Sequence, residues 1–235
     1  MEIVKGFLKR KMVILLAAVV LVFFVLFNSG FFGGEDSRVR VTCVGDSLTY
    51  GSGVLKTRET DSYPAQLQAK LGTSHIVSNY GLRNATASAN GDLPYIDSQE
   101  YAQSLKSNPD VVILMLGTND SKTQNWDAQE YEQGLEKLVE SYKTLSSNPT
   151  VYLMRSPYCY SVKEDDIAEY NIQPDIVAGE IADIIAAVAS ETGIDVIDLY
   201  TPTEGKEQLY TDGIHFNADG YNLIANEVYD VVKKL

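Results

Sequence analysis

Four short segments carry the residue types that acyl transfer needs. In chain order they are Gly45-Asp46-Ser47-Leu48, Asn79-Tyr80-Gly81, Gly117-Thr118-Asn119-Asp120 and Asp212-Gly213-Ile214-His215. A serine hydroxyl is a weak nucleophile until a base stands beside it, and His215 can be that base for Ser47. A carboxylate must then fix the imidazole tautomer and stabilise the imidazolium. Asp212, three residues before His215, can do this from the same turn. The oxyanion of a tetrahedral intermediate also needs hydrogen-bond donors. The backbone N–H groups of Ser47 and Gly81 and the side-chain amide of Asn119 can supply them. Glycine at 81 would let the backbone approach a substrate with no Cβ in the way.

Singly, each segment has a plainer explanation. Gly-Asp-Ser reads as a turn or helix cap, Gly81 as a turn, Asn119-Asp120 as an N-cap and Asp212-Gly213 as a tight turn. The conjunction of all four, in order, carries the catalytic reading. His75, the other histidine, opens a strand with no carboxylate nearby and reads as structural. Cys43 falls inside a core strand and reads as a small buried hydrophobe. Cys159 falls in a loop where it can be exposed. Two distant cysteines and two distant histidines compose no zinc site, and neither a metal nor a cofactor is expected.

The elements that must position these residues alternate between strand and helix. Strands are expected at 38–44, 75–79, 111–116, 151–154 and 195–199. Helices are expected at 63–71, 127–145, 172–190 and 218–235. The run at 111–116 is apolar throughout, as in a strand buried on both faces. The helix at 127–145 shows one apolar stripe through Tyr131, Leu135, Leu138, Val139 and Tyr142. Five strands separated by helices imply an α/β fold with a five-stranded parallel sheet covered on both faces. Such folds place their sites at the carboxyl ends of the strands, where all four segments fall.

Ahead of this body, Lys5, Lys9, Arg10 and Lys11 precede an apolar run at residues 12–27. A basic flank before an apolar segment is the pattern of a signal peptide or signal anchor. Residues 1–34 are therefore expected to be a cytoplasmic basic tip and a single transmembrane helix, with 35–235 as the hydrolytic domain. The positive flank puts the body outside the cytoplasm, or in the secreted fraction if the leader is cleaved. From Val41 onward there are 13 Lys/Arg against 29 Asp/Glu. So acidic a body excludes nucleic-acid binding, which needs clustered cations.

The same residues resemble the SGNH, or GDSL, hydrolases. Gly45-Asp46-Ser47-Leu48 is similar to the family's first block, Gly81 to its second and Gly117-Thr118-Asn119-Asp120 to its third. Asp212 to His215, continued by Asn217 to Tyr221, is similar to its last. The resemblance implies a flavodoxin-like three-layer α/β/α sandwich and metal-free hydrolysis of esters or thioesters. It implies Ser47, Gly81, Asn119 and His215 as the name-giving residues and Asp212 as the triad acid. Ser47 lacks the Gly-x-Ser-x-Gly elbow of α/β-hydrolases. One departure is Asn84, where the second block often carries another glycine; Asn tolerates left-handed backbone better than most residues. Residues 116–122, with Asn125-Trp126, are similar to members acting as carbohydrate or sialate O-acetylesterases.

Removal of short acyl groups from extracellular or cell-wall carbohydrate is the expected activity. Three others fit the same residues: O-acyl transfer to glycan hydroxyls, lysophospholipase or thioesterase activity on lipid esters, and non-catalytic glycan binding on a retired hydrolase fold. Tyr50, Tyr158 and Tyr160 stand near the strand ends, where they would either stack on a sugar or pack as ordinary half-buried tyrosines. With His215 as base, activity should rise from mildly acidic to neutral pH.

Overall fold

The computed structural model describes residues 36–160 and 170–234, together with Met12, Leu16, Val19, Val20 and Leu21. The chain divides into two compact units, Met1–Ser37 and Arg38–Leu235. In the first unit Met12, Leu16, Val19, Val20 and Leu21 are helical and exposed. The expected membrane span at 12–27 otherwise lies outside the described residues. Among those described, no helix is long and apolar enough to cross a membrane.

The second unit is built on a five-stranded, wholly parallel sheet. Its strands are β1 (Val39–Gly45), β2 (His75–Gly81), β3 (Val111–Met115), β4 (Thr150–Arg155) and β5 (Asp195–Asp198). Their spatial order is β2-β1-β3-β4-β5, so the strand order reverses between β1 and β3. Successive strand residues point to opposite faces, and the core splits accordingly. Val44, Val112, Leu114, Val151 and Leu153 face one side; Cys43, Ile113, Met115, Tyr152 and Met154 face the other.

Helices cover both faces. We label them α1 (Ser47–Tyr50), α2 (Tyr63–Leu71), α3 (Gln99–Lys106), α4 (Ala128–Lys143), α5 (Glu180–Thr192) and α6 (Ala218–Val232), with shorter turns between. Tyr131, Leu135, Leu138 and Tyr142 of α4 and Ile181, Ile185 and Val188 of α5 pack on the first face. Tyr63 and Leu67 of α2 and Tyr221, Ile224 and Val228 of α6 pack on the second. The expected three-layer sandwich is therefore present. The boundaries of α2 and the start of α6 coincide with the pattern reading. Helix α4 begins one residue later because Asp127 serves as its N-cap, accepting from Glu130 N.

Two expectations need correction. The single helix expected over 172–190 is two, Pro174–Ala178 and α5, broken at Gly179, whose φ −99° and ψ −96° fit no helix. The sequence pattern also omits α3. Its residues are mostly polar, and Tyr101 and Leu105 reach the core beside Ser104, whose hydroxyl meets Tyr142 Oη at 2.6 Å.

Candidate active site

The first three segments meet at the carboxyl end of the sheet because β1, β2 and β3 are adjacent, and the fourth, after β5, joins them through His215. Asp46 leaves β1 and caps α1, its Oδ1 accepting from Leu48 N at 2.9 Å. This cap sets Ser47 as the first residue of a helical turn, so the Ser47 N–H has no acceptor within the helix. The chain ends α1 at Gly51 in a left-handed conformation (φ 99°).

Ser47 Oγ lies 2.9 Å from His215 Nε2. On the other side of the ring, His215 Nδ1 lies 2.7 Å from Asp212 Oδ2. A carboxylate beside Nδ1 puts the proton of the neutral ring there and leaves Nε2 to accept from the serine. Asp212 is locked in turn by its own loop: Oδ1 accepts from Ile214 N at 3.0 Å and from His215 N at 2.7 Å. Half-burial pushes the Asp212 carboxyl up, but the His215 ring and these N–H groups outweigh it and bring it down to about 2. Ser47, Asp212 and His215, singled out from sequence, thus form one continuous hydrogen-bonded chain.

Asn119 enters this region from the loop after β3. Its Nδ2 donates to Asp46 Oδ2 at 3.3 Å and to Ala85 O at 3.2 Å, and its backbone carbonyl accepts from Asn125 Nδ2 at 3.0 Å. Asp46 therefore joins the turn carrying Ser47 to the side chain of Asn119. Gly81 N does not stand open to a ligand: it donates to Asn79 Oδ1 at 2.9 Å, while Asn79 Nδ2 donates to Thr49 O at 2.9 Å.

The structure gives glycine at 81 a packing reason of its own. A Cβ there would come within 2.2 Å of Tyr50 N and 2.7 Å of Thr49 C. The close approach is to the backbone of α1. Gly81→Ala is expected to push α1, and Ser47 with it, off the His215 ring. It should lower ester-hydrolysis rates by about 100-fold or more, since small displacements cost that much, with a fall in Tm read by calorimetry.

Two buried carboxyls beneath Ser47 are legible in the sequence only as letters of motifs. Burial drives the Asp46 carboxyl up to about 6, against the pull of Leu48 N–H, His215 and Lys122. Burial drives Asp120 up to about 7, against the N–H groups of Ser88 and Ala87, and the charge of Asp46 adds to the rise. Asp120 does not serve as an N-cap. Its oxygens accept from Ala87 N at 3.1 Å and Ser88 N at 2.8 Å, across more than thirty residues. It pins the loop whose Ala85 carbonyl holds Asn119.

Asn84, at the departure from the family pattern, is left-handed (φ 67°), so the residue tolerates the backbone that glycine would favour. Its Oδ1 lies 3.5 Å from the ammonium of Lys122. The remaining candidates separate from the site. His75 opens β2, and its ring meets Ser74 Oγ at 2.9 Å. Cys159 is buried, although its loop position allowed exposure, and burial pushes both it and Cys43 up to about 12. Neither is a usable nucleophile. Tyr50 lies under the Arg58 guanidinium, 4.1 Å from its ring centroid. Tyr160 is buried, donating to Thr203 O and accepting from Lys206 N. Tyr158 packs tilted between Tyr160 and Tyr200. For Tyr158 and Tyr160 these are packing roles, and Tyr158 keeps part of its surface. Among the described residues, no group of three or more His, Cys, Asp or Glu side chains could hold a metal.

The carboxyl edge of the parallel β2-β1-β3-β4-β5 sheet thus carries Ser47, His215 and Asp212 hydrogen-bonded in series. The GDSL-like Lipase/Acylhydrolase family matches residues 43–223, and the chain belongs to it. It is 30% identical over 213 residues to an acetylxylan esterase of Xylanibacter ruminicola, covering 85% of this chain and 44% of that protein. It is 24% identical over 140 residues to the isoamyl acetate-hydrolyzing esterase 1 homolog of Homo sapiens, covering 54% and 56%. The chain thus spans less than two thirds of the length of either relative. In fold it resembles a carbohydrate acetylesterase family member from Sinorhizobium meliloti, with TM-score 0.66, 22% identity and coverage of 84% and 98%. It also resembles the M. smegmatis aryl esterase, with TM-score 0.65, 21% identity and coverage of 84% and 100%.

Proposed function

We propose that this chain is a serine esterase that removes short acyl groups, acetyl above all, from carbohydrate hydroxyls. The observation that carries the reading is the unbroken path Ser47 Oγ–His215 Nε2, His215 Nδ1–Asp212 Oδ2 at 2.9 and 2.7 Å. Kinship with an acetylxylan esterase supports the choice of acyl group and alcohol.

The chemistry follows from the geometry. Ser47 Oγ attacks the ester carbonyl as its proton passes to His215 Nε2. Asp212 stabilises the imidazolium without taking the proton, consistent with a carboxyl held at about 2. The oxyanion takes the Ser47 N–H and an N–H of Asn119 Nδ2. The present acceptor Ala85 O is neutral and 3.2 Å away, and a charged oxygen outcompetes a neutral one for a donor. Gly81 N–H joins only by exchanging Asn79 Oδ1 for the oxyanion. His215 then protonates the departing sugar hydroxyl, leaving acyl-Ser47. Water, deprotonated by His215, releases the acid and restores the serine.

The acyl preference is tested with p-nitrophenyl esters from acetate to octanoate and with acetylated xylan. Acetate is expected to be cleaved best, with acetate released from the polysaccharide. A preference for octanoate and no release from xylan would move the chain to lipid esters. The apolar leader supports an extracytoplasmic, membrane-held domain as part of this proposal. Full-length protein found in the soluble cytosolic fraction would remove that part and leave the chemistry untouched.

A further inference from the structure

Tyr170 lies outside all four motif segments, yet it touches both partners of the nucleophile. Its Oη donates to Asp212 Oδ2 at 3.4 Å, the same oxygen that faces His215 Nδ1. Its ring stands edge-on to the imidazole, with centroids 5.6 Å apart and planes at 84°. We infer that Tyr170 is a positioning residue that holds His215 edge-on and tempers the charge of Asp212. The inference rests on the esterase reading of the same site.

The placement is built in from the opposite wall. Asn171 is left-handed (φ 57°) and turns the chain back after Tyr170. Its carbonyl accepts from Thr123 N at 3.3 Å, and its amide donates to Gln124 Oε1 at 3.3 Å. Ile172 is buried in the core. Gln173 N donates to Ser121 Oγ at 3.2 Å, and Gln173 Nε2 to Ser121 O at 2.8 Å. These hydrogen bonds staple residues 171–173 to residues 121–124, the continuation of the loop that carries Asn119. Tyr170 bridges the oxyanion side of the site and the acid–base side, which are otherwise far apart in sequence.

The electrostatic consequence has a definite sign. A hydrogen bond from a phenol spreads the negative charge of Asp212 away from the imidazole. Without it, the carboxylate charge concentrates on the His215 Nδ1 side and the imidazolium gains stability. Among the described residues, Asp46 feels His215 and Tyr221 feels Asp212. Lys122 acts on Asp46. Removing one hydroxyl from Tyr170 changes none of them.

The test is the pH profile of kcat/KM on p-nitrophenyl acetate for wild type, Tyr170→Phe and Ser47→Ala. Phenylalanine keeps the ring edge and the fold and removes only the hydroxyl. In Tyr170→Phe the acid limb is expected to move up by about half a pH unit. Plateau kcat should fall about two- to fivefold, the effect of one modest hydrogen bond, with KM little changed. Tyr170→Ala, which also removes the edge contact, should lower kcat further. An acid limb that superimposes on wild type, with Ser47→Ala inactive, would overturn the role of Tyr170 alone. Activity of Ser47→Ala equal to wild type would overturn the esterase reading and this inference with it.

Discussion

Ser47→Ala is expected to lower kcat/KM for p-nitrophenyl acetate by about 10⁴-fold or more, with no loss of Tm. Without Oγ there is nothing for His215 Nε2 to deprotonate and no covalent intermediate; what remains is the contribution of the oxyanion donors and substrate binding. The side chain is small, sits at the first position of a short capped turn and turns its hydroxyl to His215, so its loss leaves the core intact. His215→Ala should cost as much. The Ser47→Ala/His215→Ala double variant should cost little more than either single one, because the residues act as a unit. Additive losses would mean that the two side chains do not share a proton-transfer step.

The second large effect concerns stability and pH. Asp46 and Asp120 are fully buried, and both carboxyls are raised, to about 6 and about 7 from an ordinary 3.8. A carboxyl raised in the folded state binds its proton more tightly there than when unfolded. Its contribution is fully present below pH 3.8 and is lost as pH rises through the folded value. Asp212 has the opposite sign: its carboxyl is lowered to about 2, so its contribution is present above 3.8 and fades as pH falls toward 2. The stability these three groups confer should therefore peak near pH 4, decline up to about pH 7 and level off beyond it. Moving a carboxyl's pKa by one pH unit corresponds to about 1.4 kcal/mol, so the decline amounts to several kcal/mol. Urea unfolding of the wild-type protein across pH 4–8 measures it. Asp120→Asn keeps an acceptor oxygen for Ser88 N or Ala87 N and removes the charge, so its stability curve should be flatter over this range. A variant curve parallel to wild type would refute the burial argument. Asp120→Ala leaves both N–H groups without that acceptor and should destabilise by about 2–4 kcal/mol at pH 5.

Much of this is readable from residue order. The strands announce themselves through apolar runs such as Val111 to Leu116, and α2, α4 and α6 through their stripes and punctuation. A parallel sheet then requires the motif residues to gather at one edge, and Ser47, Asp212, His215 and Asn119 do. What escapes is whatever depends on contacts distant in sequence. The helix α3 is short and mostly polar, and of its apolar residues only Tyr101 and Leu105 reach the core. The break at Gly179 sits inside a periodic pattern that looks continuous. Gly81 reads in sequence as making room for a ligand, yet its neighbour is the backbone of α1, whose nearness only strand pairing reveals. Asp120 bonds to residues more than thirty positions away, and Tyr170 reaches Asp212 across forty-two. No local pattern marks Tyr170, and the motif that contains Asp120 does not reveal its partners.

The claim that Ser47 is the nucleophile is tested most directly by covalent capture. Wild-type protein treated with a fluorophosphonate should gain the mass of one phosphonyl group. Peptide mapping should place it on Ser47, and esterase activity should fall in step with labelling. Labelling should slow sharply in His215→Ala, which lacks the base. An adduct on another residue, or full esterase activity in protein completely labelled at Ser47, would contradict the assignment.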